Sequence, residues 1–196
     1  IQGDLARANG RYILLSLPAL VVLTVPMIFT LAQLDSLYKF RPFLTGETTV
    51  LSVTLAPETG YALDGITLDV PDGVTLEAGP VRNEVDRSVA WRLRAEDEGT
   101  HTLRILAGAT EFGSRELVVG EDLVRLGQTS NKNWWNAVAQ PGARPLRGDA
   151  PLDELTLLLP ERYTNSLSLG VPWWLLFFVF AMLAGVALKD ALRVSI

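Results

Sequence analysis

Two uncharged apolar runs, residues 13–34 and 171–188, enclose a middle stretch in which apolar and polar positions alternate. At about 1.5 Å of rise per residue the runs would reach about 33 and 27 Å, close to the ~30 Å hydrocarbon core of a bilayer. Between Trp173 and Leu188 the second run is apolar on every side, unlike the one-sided stripe of a helix packed on a globular core. The first is longer than the core of a secretory signal peptide, and no A-x-A cleavage pattern follows it. The pattern predicts two transmembrane helices, over 12–34 and 168–189, with short flanks at 1–11 and 190–196.

Within the first run, Ser16, Thr24, Thr30 and Gln33 are polar, and Pro18 and Pro26 each remove a backbone donor. Such a helix is expected to bend and to turn its polar groups toward neighbouring helices. The second run opens with Pro172, suited to a first helical position, followed by Trp173 and Trp174. Ala181 and Gly185 form a small-xxx-small pair that allows close helix approach. The interface candidates are therefore Pro18, Thr24, Pro26, Trp173, Trp174, Ala181 and Gly185, with Trp134 and Trp135 from the middle of the chain.

From 48 to 120 the period is two. Leu51, Val53 and Leu55 alternate with polar residues, as do Ile66, Leu68 and Val70, and then Val74 and Leu76 after a Pro71-Asp72-Gly73 turn. The clearest strand places Val89, Trp91, Leu93 and Ala95 on one face, and Ser88, Arg92 and Arg94 on the other. Leu103 with Ile105, and Leu117 with Val119, complete about six short strands. Strands wet on one face indicate an antiparallel sandwich, here immunoglobulin-like over 44–120 with Trp91 at its centre. Residues 121–166 read as an irregular extension rich in Asn, Gly, Pro and Arg, with one further strand at Leu155, Leu157 and Leu159. Trp134 and Trp135, adjacent and large, are expected to bury themselves in a groove of the sandwich or against a partner, with a seat in the lipid headgroup layer as the lesser alternative.

Charge sets the expected orientation. The outer flanks carry Arg7, Arg11, Lys189 and Arg193 against Asp4 and Asp190, whereas 35–166 holds 13 Lys/Arg and 20 Asp/Glu. Basic residues stay on the cytoplasmic side of a span, so both termini read as cytoplasmic and the sandwich as periplasmic or extracellular. The expected location is the inner membrane, multi-pass, in contact with lipid and with other transmembrane proteins through both spans. An acidic domain lacks the basic footprint of a nucleic-acid binder. There is no cysteine, hence no disulfide and no thiolate chemistry. The first residue is Ile1 rather than Met, which fits a processed product or a fragment.

Candidate chemistry is sparse. His101 is the single histidine and shares strand parity with Leu103 and Ile105, so it reads as a structural residue. Glu96, Asp97 and Glu98 form a carboxylate run of the kind found at solvated hairpin ends, with a weak calcium contact as the lesser alternative. Arg147-Gly148-Asp149 spells an adhesion tripeptide without supporting context. No Gly-rich phosphate loop is present, and one histidine does not furnish a nucleophilic triad. The expectation is a protein that is not an enzyme and holds no cofactor or metal.

The entry ARANGRYILLSLPALVVLTVPMIF, the exit LAQLDSLYKFRPFLTGE and the closing VPWWLLFFVFAMLAGVALKDALRVSI resemble the last two segments of a bacterial branch of the YidC-like insertase superfamily, related to archaeal insertases and to the third subunit of the ER membrane complex. The resemblance implies that 1–11 is the tail of a cytoplasmic coiled coil and that the sandwich is an insertion between two spans. Arg7 and Arg11 are the nearest counterparts of the basic groove residue used by such insertases. Two functions compete at this stage. One is a non-enzymatic subunit or assembly factor of a larger membrane complex. The other is an anchored ligand-binding or sensory β-domain, which requires a concave pocket.

Overall fold

The computed structural model describes residues 2–135, 141–162 and 172–188. Among the described residues a long helix α1 (Gln2–Tyr38) is followed by eight strands, a 3-10 turn at Leu63–Gly65 and a closing helix. The strands are β1 (Thr48–Leu55), β2 (Ile66–Asp69), β3 (Val74–Asn83), β4 (Ser88–Ala95), β5 (Gly99–Ala107), β6 (Thr110–Val119), β7 (Thr129–Asn131) and β8 (Leu152–Leu157), and the closing helix is α2 (Trp173–Leu188).

Alternation along the strands builds two sheets with one apolar face each. In the larger sheet, ordered β3-β4-β1-β8-β7, Thr49, Leu51, Val53 and Leu55 of β1 point inward and are buried. Leu51 stands opposite Trp91 of β4 on one side and Leu157 of β8 on the other. The smaller sheet is ordered β2-β5-β6 and contributes Ile66, Leu103, Ile105 and Leu117 to the same core. Trp91 is 2% exposed and sits in that core, as the alternation predicts. The sheet reaches beyond residue 120: β8 lies beside β1, with Leu155 and Leu157 fully buried, and β7 forms the outer edge next to it.

β3 departs from its sequence pattern. Val74 is buried, but Leu76, in the same register on this edge strand, is 43% exposed, and beyond it the pairing with β4 slips between Leu76 and Ala78 and again between Ala78 and Val81. Bulges of this kind rotate the side chains that follow and blunt an edge strand against further pairing. Gly79 accompanies the slip at φ +124, where a Cβ would come within 3.0 Å of the Trp91 ring.

Both helices leave the same end of the sandwich. Arg41 N donates to Pro160 O (3.0 Å) and Arg162 N to Lys39 O (2.8 Å), so the chain entering the sheets pairs with the chain leaving them. The Tyr38 and Trp173 rings approach to 6.3 Å between centroids. Arg41 grips Glu47 with both guanidinium nitrogens, at 2.8 and 2.6 Å, and Leu44 N donates to the same carboxylate. The bond from Arg41 is the main cause holding the Glu47 carboxyl below its ordinary value, and the same bond raises Arg41.

The helices correct the expected class. Among the described residues no helix is long and apolar enough to cross a membrane. α2 has 16 residues, about 24 Å of rise against a hydrocarbon core of about 30 Å. α1 is longer, with 37 residues, but its side chains are described without a break only from Thr24 onward. That part contains Thr24, Pro26, Thr30, Gln33, Asp35 and Ser36. The expectation of two transmembrane helices, and with it a multi-pass inner-membrane protein with cytoplasmic termini and an outward-facing domain, is therefore not supported. The antiparallel sandwich is what the structure retains of that reading. Its strand order also differs from the immunoglobulin one, in which the first two strands are neighbours, since β1 here lies between β4 and β8. The expected tail at 190–196, the 163–166 end of the extension and the 168–171 start of the second span lie outside the described residues.

Candidate functional site

The least regular part of the chain, 121–151, carries most of the unexplained surface. It is positioned by regular structure at several points. Leu126 N donates to Ser36 O at the end of α1 (2.8 Å), Leu157 N to Gln128 O (3.0 Å), and Leu146 N to Asn131 O (3.1 Å). A loop held by a rigid scaffold at both ends is a usual location for binding residues.

Trp134 and Trp135 occupy its outer turn. Asn131 Oδ1 accepts from Asn133 N, and Asn133 Oδ1 accepts from Trp135 N, each at 3.0 Å, so two successive Asx turns fix the backbone. The indoles stack on each other at 4.4 Å between centroids, 23° from parallel. They remain 64% and 59% exposed. Neither indole is covered by the sandwich among the described residues.

Elsewhere the excursion walls an open cleft of about 880 Å³. Its other wall is the 56–61 loop with the start of β6, where Tyr61 meets Phe112 edge-on at 4.6 Å. Glu58, Glu111 and Asp149 face Lys132, Arg144 and Arg147 around the rim, so the lining carries both signs of charge. The Arg147-Gly148-Asp149 triplet belongs to this rim and closes in a turn, with Ala150 N donating to Arg147 O at 3.1 Å.

Arg115 lies where the excursion crosses β6. It has the parity of Leu117 and Val119 and therefore points to the apolar side, where it is 8% exposed. Its guanidinium donates to Ser130 Oγ (2.8 Å) and to Gly127 O, while its Nε has no partner. Burial lowers its pKa to about 10, against a smaller opposing effect of Glu116, so it stays charged near neutrality. Over it the backbone at Leu126-Gly127 passes in contact with that at Gly142-Ala143. A Cβ on Gly127 would fall 2.6 Å from Ala143 N, and one on Gly142 would fall 2.6 Å from Gly127 N. A further cavity of about 110 Å³ lies here, lined by Arg115, Arg125, Arg144 and Glu116 among others. Arg144 Nη2 pairs with Glu116 Oε1 at 2.8 Å.

The other residues singled out from sequence are scattered. Pro18 and Pro26 lie exposed on α1, and Thr24 is half-buried there. Trp173 is half-buried against Tyr38, while Trp174 is 49% exposed beside Phe178. Ala181 is exposed on α2; Gly185 belongs to the same helix, and its surroundings lie outside the description. His101 is a tie between turns: its ring nitrogens face Asp72 O at 3.1 Å and Asp97 O at 2.9 Å. Glu96 lies 3.6 Å from Arg94. Among the described residues no group of three His, Cys, Asp or Glu is placed to hold a metal ion.

Sequence reasoning overlooked Arg115. The signal was available in part, since a lone arginine two positions before Leu117 interrupts the apolar face of its strand. Arg125, Gly127 and Gly142 carry no such local mark, because their roles arise from a crossing of distant segments. No family model, no curated protein and no solved structure matches this chain, so the insertase resemblance of its two ends is neither supported nor refuted by comparison.

Proposed function

We propose that this protein is a non-enzymatic accessory subunit whose sandwich presents the 121–151 excursion to a partner protein. The carrying observation is the stacked Trp134–Trp135 pair, held by two Asx turns and left more than half exposed. Trp is enriched at the centres of protein interfaces, where truncation of a single one commonly costs 2 kcal/mol or more, about thirtyfold in affinity. A second uncovered surface supports a role in assembly. Val22, Val25 and Ile28 of α1 and Phe180, Met182 and Leu183 of α2 are all more than half exposed, on helices that leave the same end of the sandwich. Affinity purification from the native cell, followed by mass measurement of the intact assembly, tests the reading. The wild-type chain is expected in a complex of fixed stoichiometry, and the Trp134→Ala/Trp135→Ala variant as a folded protein that has lost it. A wild-type chain that runs as a partner-free monomer, or a variant that keeps its partner, would overturn it.

A second reading rests on the 880 Å³ cleft, which is large enough for a small molecule and is lined by both signs of charge around Tyr61 and Phe112. It treats the chain as a ligand-binding β-domain for a zwitterionic compound. Thermal melting of the full chain against a panel of zwitterionic metabolites should then show a saturable rise with at least one of them, abolished in Tyr61→Ala. A panel without any saturable response removes this reading.

A further inference from the structure

The 110 Å³ cavity above β6 has a charge imbalance that the chain does not resolve. Arg115, Arg125 and Arg144 line it against a single carboxylate, Glu116, in a protein whose formal net charge is −5. Glu116 is engaged by Arg144. No carboxylate forms an ion pair with Arg115 among the described residues, and only Asp4 and Asp190 of the acidic side chains lie outside that description. Arg115 is more than nine-tenths buried, and its partners are a neutral hydroxyl and a carbonyl, with Nε unpartnered. A buried guanidinium that no carboxylate pairs directly is costly even with Glu116 acting on it from a distance, and charge pairing with a bound anion relieves that cost.

The site is also constructed rather than incidental. Gly127 and Gly142 let two backbones touch, and that crossing forms the roof over Arg115. Arg125 and Arg144 are exposed and line the same cavity. A volume of about 110 Å³ is room enough for a tetrahedral oxyanion. Three guanidinium charges against one carboxylate leave an excess of two, which matches the charge of a phosphate group, about −1.5 to −2 at neutral pH. Planar guanidinium forks are also suited to phosphate oxygens.

We propose that this cavity is a binding site for a phosphate group, delivered as inorganic phosphate or as a phosphate monoester. The inference goes beyond the docking function and is independent of it. Thermal unfolding of the full chain is followed while inorganic phosphate is raised, with sodium chloride at matched ionic strength as the control. A saturable rise in Tm is expected with phosphate and none with chloride. Replacing buried Arg115 would disturb the fold, so Arg125→Gln/Arg144→Gln is the variant used. It should keep its basal Tm and weaken the apparent affinity by about tenfold or more, the loss expected for charge-assisted hydrogen bonds. A parallel titration with glycerol phosphate separates the sources. Equal or tighter binding identifies a monoester ligand, and binding of inorganic phosphate alone identifies the free ion. A response no larger than that to chloride, or one undiminished in the double variant, overturns the proposal. Neither result bears on the Trp134–Trp135 test.

Discussion

Replacing Trp91 with alanine is expected to lower stability by about 3–5 kcal/mol, the range for removing a buried large aromatic from a close-packed core. The indole is 2% exposed at the middle of β4, opposite Leu51 of the central strand. Its ring also bears the close approach of Gly79 from the bulged edge strand, so its loss opens a void that β3 and β1 cannot both close. A native domain is stable by only about 5–15 kcal/mol, so the change consumes much of the margin. Urea unfolding of the wild-type and variant chains measures it directly. Val85→Ala is the companion control: Val85 is 92% exposed, and its truncation should stay within about 0.5 kcal/mol. A Trp91→Ala variant less than about 1 kcal/mol below wild type would show that the two sheets do not close on this residue.

The same residue shows how much of the fold could be read in advance. Alternation is a local signal, and β1, β4 and the paired halves of β5 and β6 obey it because each strand rests one face on the opposing sheet. β3 disobeys from Leu76 onward: it is the edge strand of its sheet, and bulges beyond Leu76 break its pairing with β4. The apolar runs at the two ends did predict helices, and helices are present. What the runs did not predict was element length: α2 is described over 16 residues, and the first run is part of a helix of 37 that extends into charged turns. Hydropathy counted along a chain reports composition, and the membrane assignment drawn from it failed at that step.

The candidate site was far less legible. Trp134 and Trp135 stood out by type, but whether they were covered depended on the Asx turns that fix their backbone and leave them exposed. Arg115 could be placed on the inward face by parity alone. Its lack of a directly paired carboxylate could not, because that depends on which carboxylates reach it through space. Arg125 and Arg144 are 19 residues apart in sequence and meet only because Gly127 and Gly142 allow the chain to cross itself.

That crossing carries the second large effect. Gly142→Ala should destabilise the protein by about 1–3 kcal/mol, the usual cost of overpacking a site that has no room. The new Cβ would meet the backbone of Leu126 and Gly127 rather than the end of a flexible side chain, so relief requires one strand of the crossing to move. Leu126 and Ala143 are buried at that point and would be drawn partly into water. Arg115 would lose its bond to the Gly127 carbonyl as the roof lifts, exposing a guanidinium that the wild-type fold keeps dry. The two sheets meet elsewhere, so the damage should be confined: faster amide hydrogen exchange across 121–135 and 141–151, with β1, β4 and β5 protected as before. Gly148→Ala separates sterics from glycine chemistry in general, since no atom lies within 4 Å of a Cβ built there, and that variant should behave as wild type. If Gly142→Ala melts together with Gly148→Ala and exchanges no faster over the excursion, the two backbones are not in contact, and the cavity they roof does not exist as described.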